Sequence, residues 1–396
     1  MSQDKLPLGF RLAAARAGLR YQSHPDLALI VSDPAAVCAA FFTTNVFKAA
    51  PVLVARENFE ASPVIRAVLV NSGQANACTG PKGIDDCRAT LNQLAWELGI
   101  SPSQILPAST GVIGQPLPLK RFSAHIPELV KNLGRTSVLE AARAIMTTDT
   151  FPKTSGAEVH LSTGTATFWG MAKGSGMICP DMATMLCFVL TDLQIQADVF
   201  QSLARQVVST TFNALTVDGD TSTNDCLFAL ANGVSRAWIS SAEDQALVTV
   251  ALEEVCSHLS QQLIQDAEGG TKVLHIHVRG AQAQEQARMA ASAVANSFLV
   301  KTAMYGQDPN WGRIVAALGR SGAEFEPDQV SVSLAGITIF EAGQPKDMDL
   351  DQVFKPLLQE QDISIEIDLG AGCACFSMLA SDLTEQYVRI NSHYRT

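Results

Sequence analysis

Residues 173–192 read KGSGMICPDMATMLCFVLTD. A cation and two glycines lead through a Pro-containing loop to Thr184, and from there the run TMLCFVL (184–190) is apolar and partly branched. A run of that kind reads as a central strand covered on both faces, which points to an α/β protein. The abrupt change of polarity at Thr184 also marks a chemical candidate. A threonine hydroxyl is a poor nucleophile without an adjacent base, and a chain that begins with threonine supplies the base as its own α-amine. Thr184 is internal, so this chemistry first requires cleavage of the Ala183–Thr184 bond, by attack of the hydroxyl on the preceding carbonyl and hydrolysis of the resulting ester. Read alone, Thr184 is an ordinary strand residue ahead of an apolar run, and other segments must decide.

Working outward, residues 67–71 (AVLVN) read as a buried strand that empties into the loop SGQANACTGPKG, and 85–98 read as a helix, acidic at its start and closed by Gly99. A helix near 138–146 runs into TTDT. From Ser240 the spacing SSAE forms a capping box, and Val248, Leu252, Val255, Leu259 and Leu263 recur at helical intervals until DAEGGT, beside Glu268. KVLHIHVRG (272–280) alternates with period two, a helix follows over about 281–296, and VSVSLAGITIF reads as a hairpin turning at Ala335 and Gly336.

Composition narrows the function. With 396 residues, 47% hydrophobic and 17% charged, the chain is too apolar to be disordered. A net charge of −11 repels phosphate backbones and anionic lipid, so nucleic acid and membrane are not expected partners. No apolar run approaches a membrane span, and the start lacks a secretory pattern. Nine cysteines without a CxxC pair read as reduced core thiols of a cytoplasmic protein.

Other segments carry weaker chemistry when each is taken alone. In PASTGVIG (107–114), Thr110 offers a hydroxyl and Gly111 an unobstructed backbone N–H, the two kinds of donor that stabilise an oxyanion; the segment also reads as a tight turn. TVDGDTSTND (216–225) is too polar for a buried connection without a purpose, yet it lacks the spacing of a calcium loop. Lys173 follows no GxxxxGK[ST] phosphate loop and suits a carboxylate partner. His275 and His277 share one strand face with Arg279 but have no third ligand, which favours a solvated face over a metal pair.

Taken together and in order, GFRLAAARAGLR, FTTNVFKAAPV, NSGQANACTG, STGVIG, MTTDTFPK, KGSGMICPDMATML, DGDTSTND, DAEGGTK, VKTAMYGQDPNWGRI and DLTEQYVRINSHYRT resemble the ornithine acetyltransferase family, the glutamate N-acetyltransferases of arginine biosynthesis. The resemblance runs from about residue 9 to the last residue. It implies two packed β-sheets flanked by helices in a self-cleaving precursor. The Ala183–Thr184 bond would be the cut, giving an α chain of residues 1–183 and a β chain of 184–396 intertwined in one core. It implies Thr184 as nucleophile, Thr110 and Gly111 as oxyanion hole, and Thr147, Lys173, Thr184, Glu268, Asn391 and Thr396 as substrate-binding positions. The implied reaction is ping-pong: Thr184 takes acetyl from N2-acetylornithine, releases ornithine and passes acetyl to glutamate. No metal or cofactor is implied, acetyl-CoA is the second acetyl donor of bifunctional members, and two α and two β chains assemble. Lys173 suits the α-carboxylate of these amino acids and Glu268 the ammonium of ornithine.

The chain departs from the family pattern at Cys179 and Asp181 in the cleavage loop and at Gln74 in NSGQANACTG. Asp181 adds negative charge where the loop must strain, which bears on the rate of cleavage rather than on the nucleophile. The alternative reading, from another class, is an N-terminal-threonine hydrolase, an amidase or aminopeptidase that passes the acyl group to water.

Overall fold

The computed structural model describes residues 5–21, 23–179 and 185–393. Cleavage-loop residues Asp181, Ala183 and Thr184 and the terminal Thr396 lie outside these described residues. The chain falls into two compact units, one made of residues up to Asn213 with Asp220–Leu263, the other of Ala214–Gly219 with residues from Ile264 onward.

The first unit is built on an eight-stranded sheet. Its strands are β1 (Phe10–Ala15), β2 (Leu27–Phe42), β3 (Val64–Gln74), β4 (Ile105–Val112), β5 (Lys153–Leu161), β6 (Gly164–Lys173) and β7 (Leu186–Thr191), with β9 (Cys226–Ala231) inserted at the centre. The order is β4–β3–β2–β9–β7–β6–β5, with β1 paired to β2. Every residue of β7 is buried, as its unbroken apolar run requires. Alternate residues of each strand feed opposite layers. Leu29, Val31, Ala67 and Leu69 pack with Leu91 and Leu94 of helix Gly80–Leu98 and Phe122 and Ile126 of helix Leu119–Lys131. Ile30, Val68, Val70 and Phe188 pack on the other side with Ala141 and Ala142 of helix Val138–Ala144.

The second unit holds a seven-stranded sheet containing β8 (Leu215–Thr216), β10 (Val273–Ala281), β11 (Ser331–Leu334), β12 (Ile337–Glu341), β13 (Gln344–Pro345), β14 (Asp362–Asp368) and β15 (Ala374–Ser381). Ile276, Val278, Ile365 and Met378 bury one face against helices Gln284–Ala295, Phe298–Tyr305 and Trp311–Gly319. The opposite face is polar: His275 meets Asp362 at 2.7 Å and His277 meets Ser377 at 2.7 Å. The solvated-face reading of this histidine pair therefore holds, and the described residues contain no group of three or more His, Cys, Asp or Glu placed to bind a metal.

Several local readings change. The helix expected over 85–98 begins at Gly80, five residues early, because Pro81 sits at the start of the first turn with its φ already helical, so Asp85 and Asp86 fall in the second turn. Gly99 closes it in the left-handed conformation, as expected. The cap near Ser240 moves by one residue: Ser241 Oγ accepts from the Asp244 amide, while Ser240 Oγ donates to the Asp244 carboxylate. PASTGVIG is a turn only at its last two residues, Ile113 and Gly114. Residues 107–112 extend β4 in parallel register with β3, Ser72 opposite Thr110 and Gly73 opposite Gly111. The hairpin at Ala335 and Gly336 is present, both residues having positive φ. Five cysteines, 38, 87, 187, 226 and 256, are buried core thiols with pKa values pushed up by burial, whereas Cys78, Cys373 and Cys375 are exposed.

Candidate active site

Thr110 and Gly111 stand near the end of β4, opposite Ser72 and Gly73 of β3. Gly111 has φ +128°, a conformation that L side chains rarely adopt, and a Cβ there would run into the backbone of Gly73 on the neighbouring strand. Behind them the polar motif TVDGDTSTND finds its purpose. The Asn224 side-chain amide donates to the Ala75 carbonyl at 2.6 Å and to the Ser109 carbonyl at 2.8 Å, and Ser109 Oγ donates to Asn71 Oδ1 at 2.6 Å. Buried carbonyls flanking Thr110 are thus satisfied by side chains rather than by water.

Lys173 ends β6, and its side chain crosses toward β4. Its ammonium is nearly buried and donates to Thr147 Oγ1 at 2.7 Å and to Thr110 Oγ1 at 3.3 Å. Three of the residues singled out in the sequence, Thr110, Thr147 and Lys173, therefore form one cluster with Gly111 adjacent.

A residue that sequence reading passed over anchors this cluster. Asp149, from the quoted segment MTTDTFPK, is fully buried; its Oδ1 accepts from Lys153 Nζ at 2.7 Å and from the Gly174 amide at 2.7 Å, and its Oδ2 accepts from the Thr147 amide at 3.0 Å. Its Oδ2 also lies 3.9 Å from Lys173 Nζ. Burial alone pushes this carboxyl up, but the ammoniums of Lys173 and Lys153 and the hydrogen bonds from Lys153 and Thr147 outweigh it and hold the pKa at about 2. The signal was an acid and a base four residues apart, Asp149 and Lys153.

In the second unit, Glu268 Oε2 accepts from the Asn391 side-chain amide at 2.9 Å. The turn after Glu268 is tied down by Asp382, which accepts from the Thr271 amide at 2.8 Å, the Thr271 hydroxyl at 2.5 Å and the Lys272 amide at 3.1 Å. Thr384 adds a bond to the Gly269 carbonyl at 2.7 Å. Glu268 and Asn391 are thus brought together within this unit.

Chemically, the first cluster combines an ammonium, two hydroxyls and a glycine amide. Such a set holds a carboxylate and polarises a carbonyl. Because Lys173 donates to Thr110 Oγ1, the threonine's own proton is left to point at a developing oxyanion, and the neighbouring positive charge makes it a stronger donor.

A sequence model of the ArgJ family matches residues 11–396. The chain is 50% identical over 390 residues to the arginine biosynthesis bifunctional protein ArgJ of Nitratidesulfovibrio vulgaris, covering 98% of this chain and 99% of that one. It is 45% identical over 395 residues to the protein of the same name from Geobacter sulfurreducens, again over 98% and 99% of the two chains. Among solved structures, the arginine biosynthesis bifunctional protein from Bacillus halodurans superposes with a TM-score of 0.50 at 35% identity, covering 52% of this chain and 98% of its own. Matched from near its start to its last residue, with the quoted motifs in place, this chain belongs to the ArgJ family.

Proposed function

We propose that the chain transfers acetyl from N2-acetylornithine to glutamate through an acetyl ester on Thr184. The observation that carries the reading is the Lys173 ammonium held between the hydroxyls of Thr147 and Thr110, beside Gly111, at the end of the strand that pairs with β7. In the first half-reaction the Thr184 α-amine takes the hydroxyl proton and Oγ bonds to the acetyl carbon. Thr110 Oγ–H and the Gly111 N–H hold the oxyanion. The C–N bond then breaks and the α-ammonium returns its proton to the departing amine, which leaves as ornithine. In the second half-reaction the amine of glutamate attacks the ester carbonyl, Thr184 Oγ leaves and regains a proton, and N-acetylglutamate is released. Lys173 and Thr147 take the α-carboxylate common to both amino acids, the carboxylate of Glu268 suits the ornithine ammonium, and Asn391 and Thr396 are further substrate-binding positions that the resemblance implies. All protons and acyl groups move between the chain and its substrates, so no metal or organic cofactor enters, and acetyl-CoA enters only as a second acetyl donor.

The same reading divides the chain by self-cleavage into residues 1–183 and 184–396. The solved Bacillus relative supports it, since a chain matched over 98% of its length while covering 52% of this one has about half its length. Both β7 and β9 belong to the later product, yet they occupy the centre of a sheet whose other strands precede the cut. Exposing Leu186, Phe188, Val189 and Leu190 would cost on the order of 10 kcal/mol, so the products stay together. Assembly as two α and two β chains follows the family. A cytoplasmic setting agrees with reduced, buried thiols, and among the described residues no helix is long and apolar enough to cross a membrane.

The test is a coupled assay of ornithine release and N-acetylglutamate formation from N2-acetylornithine and glutamate, with arms containing acetyl-CoA or water alone as the partner. Acetate release that is as fast without glutamate as the transfer is with it would replace the transferase by the hydrolase.

A further inference from the structure

We infer that Asp149 is a positioning residue for substrate carboxylate recognition, a buried clamp that sets Thr147 and Lys173 against one another through the Thr147 amide, the Gly174 amide and the two lysine ammoniums. The inference rests on the transfer reading given above and deepens it. Asp149 reaches both residues through their backbones. Its Oδ2 takes the Thr147 amide at 3.0 Å, and its Oδ1 takes the amide of Gly174, the residue next to Lys173, at 2.7 Å. Gly174, which follows the last residue of β6, has φ +152°, a conformation that favours glycine, and the carboxylate holds its amide.

The side chains converge as well. Lys153 Nζ, fully buried on β5, closes on Oδ1 at 2.7 Å, while Lys173 Nζ stands 3.9 Å from Oδ2 and spends its short hydrogen bond on Thr147 Oγ1. The carboxylate thus attracts the Lys173 ammonium without capturing it, which leaves the ammonium directed toward the threonine hydroxyls and an incoming carboxylate. Lys153 neutralises the buried charge from the other side. A carboxylate serving only as counter-ion to Lys153 would have no reason to hold the backbone on either side of the two proposed binding residues.

Asp149→Asn leaves Lys153 buried without its closest carboxylate and can fail to fold, so the decisive variant is Asp149→Asn combined with Lys153→Met, which removes the buried pair whole. Wild type and both variants are assayed for acetyl transfer from N2-acetylornithine and from its α-carboxamide analogue, with thermal melting in parallel. In the double variant the KM for N2-acetylornithine should rise about tenfold, kcat should stay within about threefold, and the preference for carboxylate over carboxamide should fall about tenfold. A wild-type KM and preference in the double variant, or a loss of kcat and melting temperature at unchanged preference, overturns the inference and leaves Asp149 a structural counter-ion. A wild-type protein that transfers no acetyl overturns the transfer reading itself, and the inference with it.

Discussion

Thr110→Val is the sharpest test of the oxyanion assignment, because valine keeps the β-branched shape of threonine and removes only the hydroxyl. Thr110 lies in β4, where a β-branched residue fits the pleated sheet, so the fold should tolerate the change. Lys173 loses its longer hydrogen bond, 3.3 Å, and keeps the shorter, 2.7 Å to Thr147, so the ammonium stays in place. Ground-state recognition of the carboxylate should therefore survive, with KM for N2-acetylornithine and for glutamate changing by less than about threefold. What disappears is a donor that acts only as charge develops on the acetyl oxygen. Removing one such donor typically lowers kcat about 10²- to 10³-fold, roughly 3–4 kcal/mol. Steady-state kinetics in both half-reactions, with melting curves to confirm folding, reads this directly. A variant with unchanged kcat and a raised KM would refute the reasoning and make Thr110 a substrate-binding residue rather than part of the oxyanion hole.

Three further outcomes are expected. Thr184→Ala should abolish both self-cleavage and transfer, seen as a single 42.2 kDa chain on a denaturing gel with no ornithine released; retained transfer would move the nucleophile elsewhere. Asp149, held at about 2 against an ordinary 3.8, contributes stability that is fully present above pH 3.8 and lost as the pH falls toward 2, a gap of roughly 2 kcal/mol, so urea midpoints should drop more steeply below pH 4 for wild type than for the Asp149→Asn, Lys153→Met variant. Lys301, buried beside Asp382 and Asp218, is pushed by burial from 10.5 to about 8 despite those carboxylates; the unfolded chain then binds more protons between these values, so stability should rise with pH across that window, and Lys301→Met should flatten the rise in denaturant melts.

Legibility differed between elements for physical reasons. The strand before Ser72, the hairpin at Ala335 and Gly336 and the left-handed close at Gly99 were readable because each depends on neighbours within a few residues: periodicity, positive φ, a glycine past the last turn. The helix start at Gly80 was misplaced because acidic residues outweighed the proline that sets the first turn. PASTGVIG looked like a turn because its composition is that of a turn; pairing with β3, far along the chain, makes all but its last two residues strand. Asp149 was invisible in the same way, since its partners Lys173 and Gly174 lie 24 and 25 residues on and converge only when β5 and β6 pair.

By itself the sequence determined the family, the identity of Thr184 as the candidate nucleophile and the residue types that surround it, because these lie in contiguous motifs whose chemistry is local. Only the tertiary structure decided that Lys173 faces Thr147 and Thr110, that Asn224 supports the strand carrying Gly111, and that Asp149 is a buried junction rather than a loop acid. The reason is that a side chain's partners, and whether water reaches it, are set by which strands lie adjacent, and adjacency between distant segments is decided by burial of the whole sheet rather than by any short run of residues.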